Sequence, residues 1–150
     1  MSQIDEATLV ADGWHRLPGV RYTAAVGPSW AKLKDGRPIV GLQAQEHLAN
    51  DNLGIVHGGA IMTFADMALG YATGHATGGN AQFVTAQMQV YFTAAAQVGD
   101  FVTCHAEVIR KTSSLVFVRG LIEAGGRTVA SADGIFKLLD AAKFQGMKAG

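Results

Sequence analysis

The chain has 150 residues, 49% hydrophobic and 16% charged, with twelve basic side chains balanced by twelve acidic ones. This length and composition describe one folded domain with a sizeable core and exclude a disordered chain. The even charge gives no electrostatic case for nucleic acid or an anionic membrane as a partner.

Residues 1–20 are expected to form a short helical or irregular lead-in, broken at Pro18-Gly19, with turn signals after it at Gly27-Pro28 and Asp35-Gly36. IVGLQAQEHL (39–48) is predicted as a strand and ANDNLG as a loop. From Gly58 the period changes to 3.6. Ile61, Phe64, Ala65, Ala68, Leu69 and Ala72 fall on one helical stripe, and Gly74 and Gly78-Gly79 are expected to stop it.

The remainder reads as four strands. QFVTAQMQVYF (82–92) alternates Val84, Ala86, Met88, Val90 and Phe92 against Gln87 and Gln89; DFVTCHAEVIRK, SLVFVRGLIEA and RTVASADGIFKLL follow. Short turns between consecutive strands imply antiparallel hairpins. A single helix that is apolar nearly all round must lie against the sheet, which curls about it in an α+β fold over residues 21–140, with 141–150 as a C-terminal tail.

The single Cys104 excludes an intrachain disulfide and, in a strand-like setting, is expected to be a buried structural thiol. His15, His47, His75 and His105 show no metal-ligand spacing, so neither metal nor cofactor is expected. No basic-then-apolar leader opens the chain and no apolar run reaches membrane-spanning length, so a cytoplasmic protein with no membrane contact is expected.

The stretch GIVHGGAIMTFADMALGYATG carries one carboxylate, Asp66. Taking Ile61 as zero, Asp66 lies at about 140°, off the core stripe and among Gly59, Met62, Thr63, Gly70 and Thr73. A solvated helix face normally carries Lys, Glu or Arg, and this one carries none. Cover by a partner subunit or a ligand accounts for it, and a lone carboxylate there suits general-base or nucleophilic work. His57-Gly58-Gly59 stands at the helix entry, where free backbone N–H groups and the positive end of the dipole can hold an oxyanion.

NDNLGIVHGGAIMTFADMALG resembles the HGG-x(6)-D signature of hotdog-fold acyl-CoA thioesterases of the phenylacetate-degradation type; GPSW…DG, VTAQMQVYFTAAAQVGD and GRTVASADGIF are similar to that family too. The resemblance spans about residues 22–139. It implies a helix wrapped by a sheet, an obligate dimer (or a tetramer) with sites at the interface, and metal-free hydrolysis of acyl-CoA. By position it makes Asp66 the nucleophile or general base and the Gly58 N–H the donor to the thioester carbonyl. His57 supports that loop, and Thr85 helps hold the water. Gly59 of the same loop, Asp51 and Met62 are candidate substrate-binding residues.

The sequence departs from the family at Asp51, where Asn is usual; Asn50 and Asn52 flank it, and Asn52 is the candidate substitute. Arg110 and Lys111, at a strand–turn junction, are candidate seats for CoA phosphates, the alternative being a solvated turn. Met62, Tyr71, Phe83 and Met88 are candidates for the acyl pocket. The rival functions are a hydratase or dehydratase on the same fold and a non-catalytic acyl-CoA-binding module.

Overall fold

The computed structural model describes residues 3–143, so the first two residues of the expected lead-in and 144–150 of the expected tail lie outside the described residues. Helix α1 (Glu6–Ala11) begins at Asp5, whose carboxylate accepts the Thr8 N–H at 3.0 Å and the Thr8 hydroxyl at 2.6 Å. These capping bonds lower the Asp5 pKa. The chain continues through β1 (His15–Arg16), α2 (Tyr22–Val26), β2 (Ser29–Lys34) and β3 (Arg37–Gln43).

Three early strands therefore stand where the sequence pattern predicts one. Asp35 (φ 52°) and Gly36 (φ 73°) are both left-handed, the two-residue turn whose twist matches a hairpin, and they fold β2 back on β3. The predicted strand 39–48 ends at Gln43, and Glu46–Leu48 is a turn of 3-10 helix.

Helix α3 (Gly58–Ala76) follows, then β4 (Phe83–Phe92), β5 (Phe101–Lys111), β6 (Leu115–Ala124) and β7 (Arg127–Leu138). Gly74 does not stop α3; Thr77 is its C-cap, and left-handed Gly78 and Gly79 (φ 72° and 79°) turn the chain away. The Gly79 N–H donates to Gly74 O at 2.9 Å, closing the last turn.

All seven strands form one antiparallel sheet in the order β1-β2-β3-β5-β6-β7-β4. The expected hairpins hold for β5–β6 and β6–β7, but β4 pairs with β7 at the sheet edge rather than with β5. The connection 93–100 does not turn back. It is tied to the loop before α3 through the Val56 N–H, which donates to Ala96 O at 2.9 Å.

The curved sheet wraps α3, as the hotdog resemblance implies. Ile61, Phe64, Ala65, Ala68, Leu69 and Ala72 are buried against Leu42, Val102, Val118 and Phe136 among others. Phe64 is fully enclosed, and Phe64→Ala would cost about 3–5 kcal/mol. Gly134 allows the close approach of helix and sheet, since a Cβ there would meet Leu69 Cδ1 at 3.0 Å. A second, smaller cluster of Leu9, Trp14, Trp30 and Ile39 anchors the lead-in to the other face of the sheet. Lys32 Nζ fixes it by reaching Asp12 Oδ2 at 2.7 Å while lying 4.7 Å over the Trp14 ring.

Candidate active site

The start of α3 is built by its own sequence. His57 is the N-cap in an extended conformation (φ −61°, ψ 135°), and its Nδ1 accepts the Gly59 N–H at 2.8 Å. The Ala60 and Ile61 N–H groups both donate to His57 O, at 2.9 and 3.2 Å. Among the described residues this leaves the Gly58 N–H as the first-turn donor without an acceptor. An unpaired N–H at the positive end of a 19-residue helix is a ready donor to a developing oxyanion. His57 therefore acts on the loop by holding Gly59.

Two turns on, Asp66 is half-buried, and its Oδ1 accepts the Thr85 hydroxyl at 2.6 Å. A bond this short to a charged acceptor fixes the carboxylate's rotamer. Thr85 reaches it because of a fault in β4. Thr85 pairs with Phe136 and Gln87 with Ile135, so Ala86 is an extra residue bulged out of the ladder.

The bulge reverses the strand's parity. Phe83, Thr85, Met88, Val90 and Phe92 point towards α3, whereas strict alternation puts Val84 and Ala86 on the Met88 side. Val84 is instead exposed. Without the extra residue the Met88–Phe92 register would turn Thr85 away from Asp66.

The face around Asp66 is open in the single chain. Gly59 and Met62 are exposed, and Thr63 and Gly70 are half-buried. Thr73 departs from that expectation: it is fully buried, with its hydroxyl donating to Leu69 O at 3.0 Å. Gly58 and Asp66 lie eight residues apart on one straight helix, hence about 12 Å along its axis. One chain cannot present both groups to a single carbonyl, each of which needs contact near 3 Å.

The other expected residues are dispersed. Asp51 and Asn52 are exposed in the loop before α3, where the Asn52 N–H donates to Asn50 Oδ1 at 3.0 Å; Asn50, not Asn52, uses its amide to shape the loop. Arg110 and Lys111 are exposed at the end of β5, and Lys111 Nζ donates to Ala76 O at 3.4 Å, beside the C-terminus of α3. Met88 packs against the core, while Tyr71 and Phe83 line a cavity. Among the described residues no three His, Cys, Asp or Glu side chains gather as metal ligands, and no helix is long and apolar enough to cross a membrane. Cys104 is fully buried, and burial first, then the charge of Glu123, pushes its thiol up to about 12.

The cavity, of about 810 Å³, lies along the second half of α3 and is lined by Leu17 and Pro18 of the lead-in and by Phe83 of β4. Its floor includes Gly70 and Gly74. The sequence pattern does not flag these glycines as a site, although they stand at i+4 and i+8 from Asp66, and each costs a helix interior about 1 kcal/mol relative to Ala.

A family model described as the thioesterase superfamily matches residues 53–131, which takes in the end of the loop before α3, all of α3 and β4 and most of the later strands. PA0474 of Pseudomonas aeruginosa, to which esterase activity is attributed, is 34% identical over 100 residues, spanning 67% of this chain and 74% of that one. The structure of the conserved protein PA5202 from Pseudomonas aeruginosa is 27% identical with a TM-score of 0.72, covering 81% of this chain and 96% of that one. PaaI from the phenylacetic acid degradation operon of E. coli is 19% identical with a TM-score of 0.66 over 91% of this chain and 86% of that one, a likeness of fold.

Proposed function

The chain belongs to the thioesterase superfamily, and from that premise we propose that it hydrolyses acyl-CoA thioesters to the free acid and CoA. The observation that carries this reading is the Asp66 carboxylate, held at 2.6 Å by Thr85 on an uncharged and uncovered helix face. Asp66 takes a proton from water as the water oxygen bonds to the carbonyl carbon, and the carbonyl oxygen becomes an oxyanion. The tetrahedral species then expels CoA thiolate by breaking the C–S bond, and the proton returns from Asp66 to sulfur. Direct attack by Asp66 through an anhydride, later hydrolysed, gives the same products.

The oxyanion donor in this reading is the Gly58 N–H of a second copy, which the spacing along α3 supports. The edge strand β4 carries exposed Val84, Tyr91 and Phe92, with the Phe92 ring 3.6 Å from where a Gly58 Cβ would stand, so pairing there would bring one chain's helix start beside its neighbour. The dimer is therefore the smallest catalytic unit, and a tetramer is compatible with it. Arg110 and Lys111 are proposed to meet the CoA phosphates, Lys111 exchanging its long bond to Ala76 O for a charged acceptor. The active protein is proposed to be cytoplasmic and to need no metal, with residues 21–140 as its thioesterase domain.

The test is CoA release from a panel of acyl-CoAs, with light scattering on the same sample. Turnover by a species of at least two chains is expected. A monodisperse single chain, or no thiol release from any acyl-CoA, refutes the reading.

A further inference from the structure

The cavity on α3 touches neither Asp66 nor Thr85, yet both of its principal walls continue from them. Gly70 and Gly74 follow Asp66 along the helix, and Phe83 lies two residues from Thr85 on the α3-facing side of β4, about 7 Å away. From Met67 to His75 the groove runs about 12 Å along the helix axis. Leu17, Pro18, Met67, Tyr71 and Phe83 make its lining predominantly apolar, and its 810 Å³ lies in the range of small-molecule pockets.

The fold does not need the two glycines. A Cβ on Gly70 would meet Phe83 at 3.6 Å and Phe136 at 3.7 Å, and one on Gly74 would meet Phe83 at 3.8 Å, all ordinary contacts. Neither has a left-handed φ, and alanine is the better helix former at both. What the glycines provide is room against the Phe83 ring, along the helix from the carboxylate and away from the helix start. Tyr71 bounds that space, its hydroxyl 3.3 Å from His15 Nε2 on β1.

We propose that this cavity receives the acyl chain of the thioester attacked at Asp66, that the chain is apolar and of medium length, and that Gly70 and Gly74 determine how much of it fits. The inference rests on the thioesterase reading above. A groove about 12 Å long lined by aliphatic and aromatic carbon rejects nothing that is short, but gives an acetyl group nothing to hold. Filling it should therefore leave short chains alone and exclude long ones.

The experiment compares kcat/KM for acetyl-, hexanoyl- and decanoyl-CoA in the wild type, Gly70→Ala and Gly74→Leu, with melting and sizing of each protein. The wild type should prefer decanoyl- to acetyl-CoA. Gly74→Leu should lose at least about tenfold on decanoyl-CoA and keep acetyl-CoA within about threefold. Gly70→Ala should melt at the same temperature or about 2–4 °C higher. An unchanged chain-length profile overturns the proposal, as does equal loss on every substrate with a change of assembly mass, which would show that a second copy fills the groove. A wild type that releases no CoA refutes the thioesterase reading by itself. The cavity is then decided by decanoate, whose stabilisation of the wild type must vanish in Gly74→Leu.

Discussion

Gly58→Pro isolates the proposed oxyanion donor from the fold that carries it. A backbone N–H cannot be removed by ordinary substitution, but Gly58 is the first residue of α3, the position at which proline is favoured because its missing N–H has no helical partner. The residue before a proline is restricted to extended backbone, and His57 already stands at φ −61°, ψ 135°. A Cβ at position 58 meets only the Phe92 ring, at 3.6 Å. The cap is untouched, since it runs from the Gly59 N–H to His57 Nδ1. Melting temperature should therefore hold, while loss of one preorganised donor removes about 2.7–4 kcal/mol of transition-state stabilisation, a fall of about 10²–10³ in kcat. The assay is CoA release under saturating acyl-CoA. Mixing Gly58→Pro with Asp66→Asn chains then tests the division of the site. If Asp66 of one chain works with Gly58 of the other, each mixed dimer contains one intact site, and an equal random mixture recovers about a quarter of wild-type activity. If both groups act within one chain, mixing recovers nothing. A folded Gly58→Pro protein with kcat within about threefold of wild type refutes the donor assignment, and the absence of recovery on mixing refutes the shared site.

Asp66→Asn keeps shape and still accepts the Thr85 hydroxyl, but it can neither take a proton nor attack; kcat should fall at least about 10²-fold with melting and assembly unchanged, and a folded protein within threefold of wild type (under about 1 kcal/mol of barrier) would end the catalytic assignment. Thr85→Val removes a bond to a charged group worth about 1.5–3 kcal/mol, so kcat should drop about tenfold or more at unchanged fold, and an unaltered rate would show the bond to be incidental. Because burial raises the Cys104 thiol to about 12, native protein at pH 8 should resist a thiol reagent that labels the unfolded chain within minutes; rapid native labelling would contradict the buried assignment. The raised value also has a sign for stability: the unfolded thiol ionises near its ordinary 9.0 while the folded one does not, so this contribution is full below pH 9 and is lost as pH rises towards 12.

The helix was legible because its signal is local. Six apolar residues at 3.6 spacing fix which side of α3 meets the sheet, and every one of them is buried. The strand count was less legible, since SWAKLK shows no clean alternation; only Asp35-Gly36, whose left-handed pair makes the turn, marks a hairpin there. The order of strands is a tertiary property. Nothing in QFVTAQMQVYF says that it will pair with β7, because a strand's partner is decided by what buries its face.

The candidate residues were legible as a motif but their geometry was not, and Ala86 shows why. Hydrophobic alternation is a rule about parity, and one bulged residue inverts it downstream without altering composition. Read by alternation, Thr85 faces the same way as Gln87 and Gln89; in the ladder it faces the helix and donates to Asp66. The spacing from His57 to Asp66 has the same character. As a motif it joins the oxyanion donor to the carboxylate, yet on a helix rising 1.5 Å per residue it holds them about 12 Å apart. A signature written along one chain can thus describe two half-sites carried by a single helix, and in the proposed dimer the complete site forms where the start of one helix meets the middle of another.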